Sequence, residues 1–172
     1  MKTIILLAVA VAVLTNSVQA KLGETINQVE ERYGSPVLSG TDENNHLAWR
    51  RYAYQDYDII VRYIGDKSVC EKLLHRSESK KFSEVEALGL GKAISGESNW
   101  VLFDHKGPAT AWTSGEAMVL RSEMAPGTLP PFLEITGKAY RDHMGELREA
   151  DSVKQIDAIA AKFDQPVTRA NR

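Results

Sequence analysis

The sequence predicts an α+β fold in which short helices pack on antiparallel β-meanders. Three observations point there. Two helix starts carry capping signals, at Thr25 and Ser83. Each helix is followed by blocks rich in aromatic and β-branched residues, broken by short polar or glycine-containing turns. The order helix, three strands, helix, three strands suggests two α+β modules in tandem, 21–80 and 81–136, followed by C-terminal helices and a tail, 137–172. Residue identity between the two halves is slight, so the repeat is one of architecture.

Residues 1–20 read as a signal peptide. Lys2 gives a positive start, Ile4 to Leu14 form an apolar run, and Val18-Gln19-Ala20 ends it in a V-x-A-like cleavage site. The run is too short to cross a bilayer, which takes roughly 20 apolar residues. Cleavage after Ala20 would leave a periplasmic or secreted protein starting near Lys21, with no transmembrane anchor. No cysteine follows the site to carry a lipid.

The first helix spans about Thr25 to Tyr33. Thr25 and Gln28 make a capping box, Ile26, Val29 and Tyr33 share one face, and Gly34 and Pro36 stop it. Strands are expected at about 46–54, 57–64 and 68–76, with turns at Gln55-Asp56 and Gly65-Asp66-Lys67. A two- or four-residue first loop pairs Tyr54 with Tyr57, Tyr52 with Ile59, Arg50 with Val61 and Ala48 with Tyr63. On the other face Trp49 meets Arg62, Arg51 meets Ile60 and Leu47 meets Ile64. A three-residue loop would exchange the faces. In the first register Tyr52, Ile59, Val61 and Tyr63 form the core face, and Trp49, Arg51 and Arg62 the more exposed one. The second turn leaves the facing of Cys70 open.

A charged linker, Ser77 to Lys81, leads to a second capping box, Ser83 with Glu86. Its short helix has Val85 and Leu88 on one side and fails at Gly89 and Gly91. Strands follow at 99–104, 109–113 and 116–122, a proline-rich loop at Met124 to Pro131, and a last strand at Phe132 to Thr136. Lys138 to Glu149 reads as a charged helix. Asp151 begins another, with Val153, Ile156, Ile159, Ala160 and Phe163 as its buried stripe. The end, Asp164 to Arg172, is polar.

Composition narrows the function. Without the first twenty residues, 20 basic and 23 acidic side chains give a net charge of about −3 and no basic stripe, which speaks against nucleic acid as a partner. Cys70 is the one cysteine, so no internal disulfide can form. Mid-strand between Val69 and Glu71, it reads as a core residue rather than a nucleophile.

Candidate chemistry is sparse. Ser77-Glu78-Ser79-Lys80 matches S-x-x-K, but the S-D-N and K-T-G elements of serine β-lactamases are missing. Gly89-Leu90-Gly91-Lys92 follows a helix and lacks the spacing of phosphate-binding loops. Asp104-His105 and Asp142-His143 are each an acid beside an imidazole, and they are the candidate metal or catalytic residues of an alternative reading as a metal-dependent or hydrolytic enzyme. No H-x-x-x-H spacing supports them, and no cofactor is expected. Trp49, Arg51 and Arg62 have the composition of a protein-binding surface, where Trp, Tyr and Arg carry most of the energy.

The run Leu22-Gly23-Glu24-Thr25, Val29, Tyr33-Gly34-Ser35-Pro36 and the aromatic meander after it resemble one known module. It is the α+β unit of the small outer-membrane-assembly lipoprotein and β-lactamase-inhibitor-protein superfamily. The resemblance covers roughly 55 residues well and the second half by pattern alone. It implies a G-x-T start and a G-x-P stop around a short helix before antiparallel strands, and a tandem form with two units. The chain lacks the acylated cysteine of the lipoproteins, and no inhibitory or assembly residue has a matching motif here. It also resembles secreted bacterial proteins that begin with a G-E-T…R-Y-G-x-P helix. The expected role is a non-enzymatic module that binds another envelope or secreted protein. A third reading is a structural envelope protein whose C-terminal helices dock elsewhere.

Overall fold

A computed structural model describes residues 21–77, 80–123 and 130–163, with residues 159–163 described in backbone only. The stretch expected to be a signal peptide, part of the Ser77–Lys81 linker, most of the proline-rich loop and the polar end lie outside the described residues.

Helix α1, Ile26–Tyr33, starts as expected. The Thr25 side chain accepts the Gln28 N–H while the Gln28 side chain accepts the Thr25 N–H. Gly34 ends it, giving its N–H to Glu30. Strands β1 (Leu38–Thr41), β2 (Ala48–Tyr54), β3 (Tyr57–Ile64) and β4 (Lys67–His75) follow. Then come α2 (Glu84–Ser95), β5 (Val101–Lys106), β6 (Ala109–Ser114), β7 (Ala117–Ser122), β8 (Phe132–Thr136) and α3 (Lys138–Phe163).

All eight strands join in one antiparallel sheet, in the order β1-β2-β3-β4-β8-β7-β6-β5. The two runs of strands meet at β4 and β8, where Leu73 lies opposite Leu133, and the order is symmetric about that seam. The β2–β3 hairpin has the expected two-residue turn, with Gln55 at φ 51°, and six of the seven expected pairs from Tyr54↔Tyr57 to Ala48↔Tyr63. Leu47 falls before the paired strand. Strand β1 has no counterpart in the sequence reading: four residues, all exposed and including a glycine, carry no alternation. It is held from outside by pairing with β2. Trp49 lies across it, so that a Cβ on Gly40 would sit 2.9 Å from the indole.

One face of the sheet carries the core. Tyr52, Ile59, Leu73 and Leu133 form one row, and Val61, Ile135, Val119 and Trp112 another. Val29 and Tyr33 of α1 and Ala87 and Ile94 of α2 close over them. Full burial of each aliphatic side chain contributes about 1.5–3 kcal/mol.

Helix α2 departs from expectation. It runs through Gly89 and Gly91 to Gly96, whose left-handed conformation ends it. Its buried face is Ala87, Gly91 and Ile94, and Val85 is 84% exposed. Gly91 is a contact point rather than a terminator, since a Cβ there would lie 2.6 Å from Val119. At the helix start the Ser83 hydroxyl accepts the Glu86 N–H, but the Glu86 carboxylate turns to Tyr57 rather than back to the cap.

The C-terminal pair of helices is a single helix. Ser152 sits within it and returns its hydroxyl to the Arg148 carbonyl, the alternative to capping a new start. Its first part rests on the protein. Tyr140, His143, Met144 and Leu147 are half-buried, whereas 148–158 are exposed throughout. Val153 and Ile156, expected to be buried, are 51% and 64% exposed.

Candidate functional site

Directly opposed residues of paired strands share a face. The face opposite α1 and α2 therefore carries three rows. The first is Trp49–Arg62–Cys70–Thr136–Met118, the second Arg51–Ile60–Lys72–Glu134–Leu120, and the third Ala53–Asp58–Leu74–Phe132–Ser122. The bulge at Arg62/Tyr63 settles Cys70, which lies on this face opposite Arg62.

The start of α3 covers the first row. The Arg62 guanidinium lies 3.7 Å from Asp42, 3.8 Å from Glu134 and 3.6 Å from the Cys70 sulfur. His143 Nε2 donates to the Asn45 carbonyl at 2.9 Å, and Arg141 donates to the carbonyls of Thr136 and Glu116. Burial pushes the Cys70 thiol well up, so it stays protonated and is no nucleophile. Burial likewise pushes the Tyr140 hydroxyl up to about 12.

The structure thus brings Trp49 and Arg62 together as neighbours and sets Arg51 one row away. Each is already engaged within the chain: Trp49 over Gly40, Arg62 as described, and Arg51 with Asp58 at 2.5 Å. The second and third rows hold partly exposed side chains of mixed character. The Lys72 ammonium sits 3.9 Å over the Phe132 ring, and its pKa is lowered by burial against the pull of Glu134.

The two Asp–His pairs do not meet. His105 is on β5, the last strand at one edge, with Nδ1 2.9 Å from Thr110 Oγ1, and Asp104 pairs with Lys106. His143 sits on α3 against Asn45, just before β2 near the other edge, and Asp142 pairs with Lys138. Among the described residues no group of three or more His, Cys, Asp or Glu side chains could hold a metal ion. Nor is any helix among them long and apolar enough to cross a membrane.

Two buried polar clusters escaped the sequence reading. Under α1, Arg32 lies 2.7 Å from Glu24 and 3.0 Å from the fully buried Glu71, whose other oxygen accepts the Tyr33 hydroxyl at 2.7 Å. Glu71 keeps the inward parity of Leu73 two residues on, and that was the available signal. At the far end of β4, His75 is enclosed by Phe82 and Tyr57, with ring centroids 4.3 and 5.0 Å away. Its Nε2 lies 3.2 Å from Glu86, which also accepts the Tyr57 hydroxyl.

Burial lowers the His75 pKa, and Glu86 only partly offsets this. The neutral ring is therefore favoured in the folded state, and its contribution is present above the ordinary histidine value of about 6.5 and lost as pH falls through the lower folded value. Acidification from pH 7.5 to 5 should lower the thermal midpoint more in the parent than in His75→Gln. Equal losses in melts at both pH values would refute the assignment.

A cleft of about 350 Å³ opens near the seam, between Leu22, Val69, Ala117 and Ala139, with Lys67, Lys138, Glu97 and Glu116 about it. Its charges are of both signs and balance.

No family model matches the chain, and no curated protein matches it. Two solved structures are similar at 9% identity. A cysteine-rich secretory protein from Staphylococcus aureus subsp. aureus Mu50 has a TM-score of 0.42, over 69% of this chain and 45% of that one. An extracellular protein containing a SCP domain from Bacillus anthracis str. Ames has a TM-score of 0.40, over 80% and 49%. The chain thus spans about half the length of each, and similarity of that size does not establish a shared fold.

Proposed function

We propose that this chain is an exported, non-enzymatic module that binds a folded protein partner through the open face of its sheet. The observation that carries the reading is the one-sided cover of the sheet. Helices α1 and α2 close one face, while among the described residues the start of α3 crosses the first row of the other. Ile60, Leu74, Phe132 and Leu120 remain partly exposed there among Arg51, Asp58, Lys72 and Glu134. Apolar side chains set among charges of both signs suit a partner with a complementary folded surface. Trp49 and Arg51 stand at the β1 end of this contact, and Arg62 fixes its floor beneath α3. Export rests on the leader-like first twenty residues, and the partner would be an envelope or secreted protein.

The test is cross-linking in the exporting cell with three proteins: the parent, an Arg51→Glu/Ile60→Lys variant, and a Val85→Lys control on the exposed side of α2. A partner lost with the first variant, kept by the control, and bound again by purified parent supports the reading. If the folded double variant retains every partner of the parent, the face is not the contact.

A further inference from the structure

The outer edge of β5 differs from the rest of the surface. Three consecutive residues on it, Val101, Leu102 and Phe103, are 64%, 59% and 65% exposed. β5 is the last strand of the sheet, so its outward N–H and C=O groups have no strand beside them among the described residues. Such an edge is a template for another strand, and native proteins usually blunt it. Here the blunting is limited to an irregularity between Leu102 and Asp104 and to the charges of Asp104 and Lys106.

Those charges select the occupant. They flank His105, and an antiparallel pairing of β5 with β5 of a second copy, centred on His105, sets each Asp104 opposite the other copy's Lys106. Phe103 and Leu102 then lie against Gly107 and Pro108 of the second copy. Side chains alternate with period two, so the nearest competing registers are shifted by two residues, and they set Asp104 opposite Asp104 or Lys106 opposite Lys106. We propose that two copies of the chain associate through their β5 edges in this register, extending the eight-stranded sheet across a two-fold axis. A two-fold contact is self-complementary, as the Asp104–Lys106 pattern requires. The chain already joins two strand runs edge to edge in this antiparallel manner at β4 and β8. Because the axis stands normal to the sheet, the open faces of both copies look the same way. The association itself does not depend on what those faces bind.

The test is sedimentation of the purified protein over a concentration series, with Asp104→Lys and Lys106→Asp variants. The parent should shift from monomer toward dimer with rising concentration. Each single variant sets like charges opposite each other twice and should weaken self-association about tenfold. Mixed in equal amounts, the two variants should form a heterodimer of parental strength. The Asp104→Lys copy then presents only lysines at the two contact positions, and the Lys106→Asp copy only aspartates. Phe103→Lys should remain monomeric while keeping the parent's circular dichroism. A parent that stays monomeric up to the highest soluble concentration overturns the proposal. So does a mixture no stronger than the single variants, since the pair within one chain would then be the only one the charges make.

Discussion

Glu71→Ala should cost about 3 kcal/mol of stability, because it strands a buried guanidinium whose partner is removed. The Arg32 side chain is 7% exposed and the Glu71 side chain wholly enclosed. Burial pushes the Glu71 carboxyl up, while the Arg32 charge and the Tyr33 hydroxyl pull it down. Losing the carboxylate leaves the Tyr33 hydroxyl without its acceptor and Arg32 with Glu24 alone. Glu24 keeps the penalty toward the low end of the 3–5 kcal/mol expected when one partner of a buried pair is removed. The cluster ties α1 to β4, so the loss should appear in global unfolding rather than local fraying. The double variant Arg32→Met/Glu71→Leu removes both charges and should recover most of the loss, since apolar replacements of a buried pair are often neutral. Urea titrations of parent, single and double variants decide it. A Glu71→Ala cost below about 1 kcal/mol would mean that water reaches Arg32 and that the pair is not a buried one.

What the sequence made legible is what local chemistry dictates. The α1 capping box needs only Thr25 and Gln28, three residues apart, and it forms as read. The β2–β3 register follows from a two-residue turn and period-two alternation, so Tyr52, Ile59, Val61 and Tyr63 are buried and Arg62 lies opposite. Long-range partners escaped because nothing local encodes them. Strand β1 exists because β2 offers an edge and Trp49 a cover for Gly40. The meeting of β4 with β8 joins residues about sixty positions apart. The C-terminal stripe failed at Val153 and Ile156 for a different reason, while the side chains of Ile159, Ala160 and Phe163 lie outside the described residues. Its spacing was helical, but periodicity does not say what a helix face meets, and 148–158 are exposed. For the candidate site, the face of Trp49, Arg51 and Arg62 was readable from alternation. The arrival of α3 over Arg62 and Cys70 was not, since it depends on where a helix far down the chain lands.

The glycines of α2 give the sharpest case of chemistry hidden by a pattern, and they predict substitutions of opposite sign. Gly89 and Gly91 both look like helix breakers, and glycine in a helix interior costs up to about 1 kcal/mol relative to alanine. Around Gly89 nothing lies within 4 Å of an added Cβ, so Gly89→Ala should gain up to about 1 kcal/mol. At Gly91 the added carbon would sit 2.6 Å from Val119 Cγ2 and 3.1 Å from the Trp100 ring. Val119 is fully buried in the middle of the sheet and cannot swing away. Helix and sheet must separate, and overpacking of this kind costs about 1–3 kcal/mol. The clash exceeds the gain in propensity, so Gly91→Ala should lose about 1–2 kcal/mol net. Because the obstacle is the Val119 methyl, Gly91→Ala in a Val119→Ala background should cost less than in the parent. Thermal melts of the four variants read out the signs and the coupling. If Gly91→Ala proves as stabilising as Gly89→Ala, α2 does not lie against β7 at this distance, and the close approach that explains the glycine is wrong.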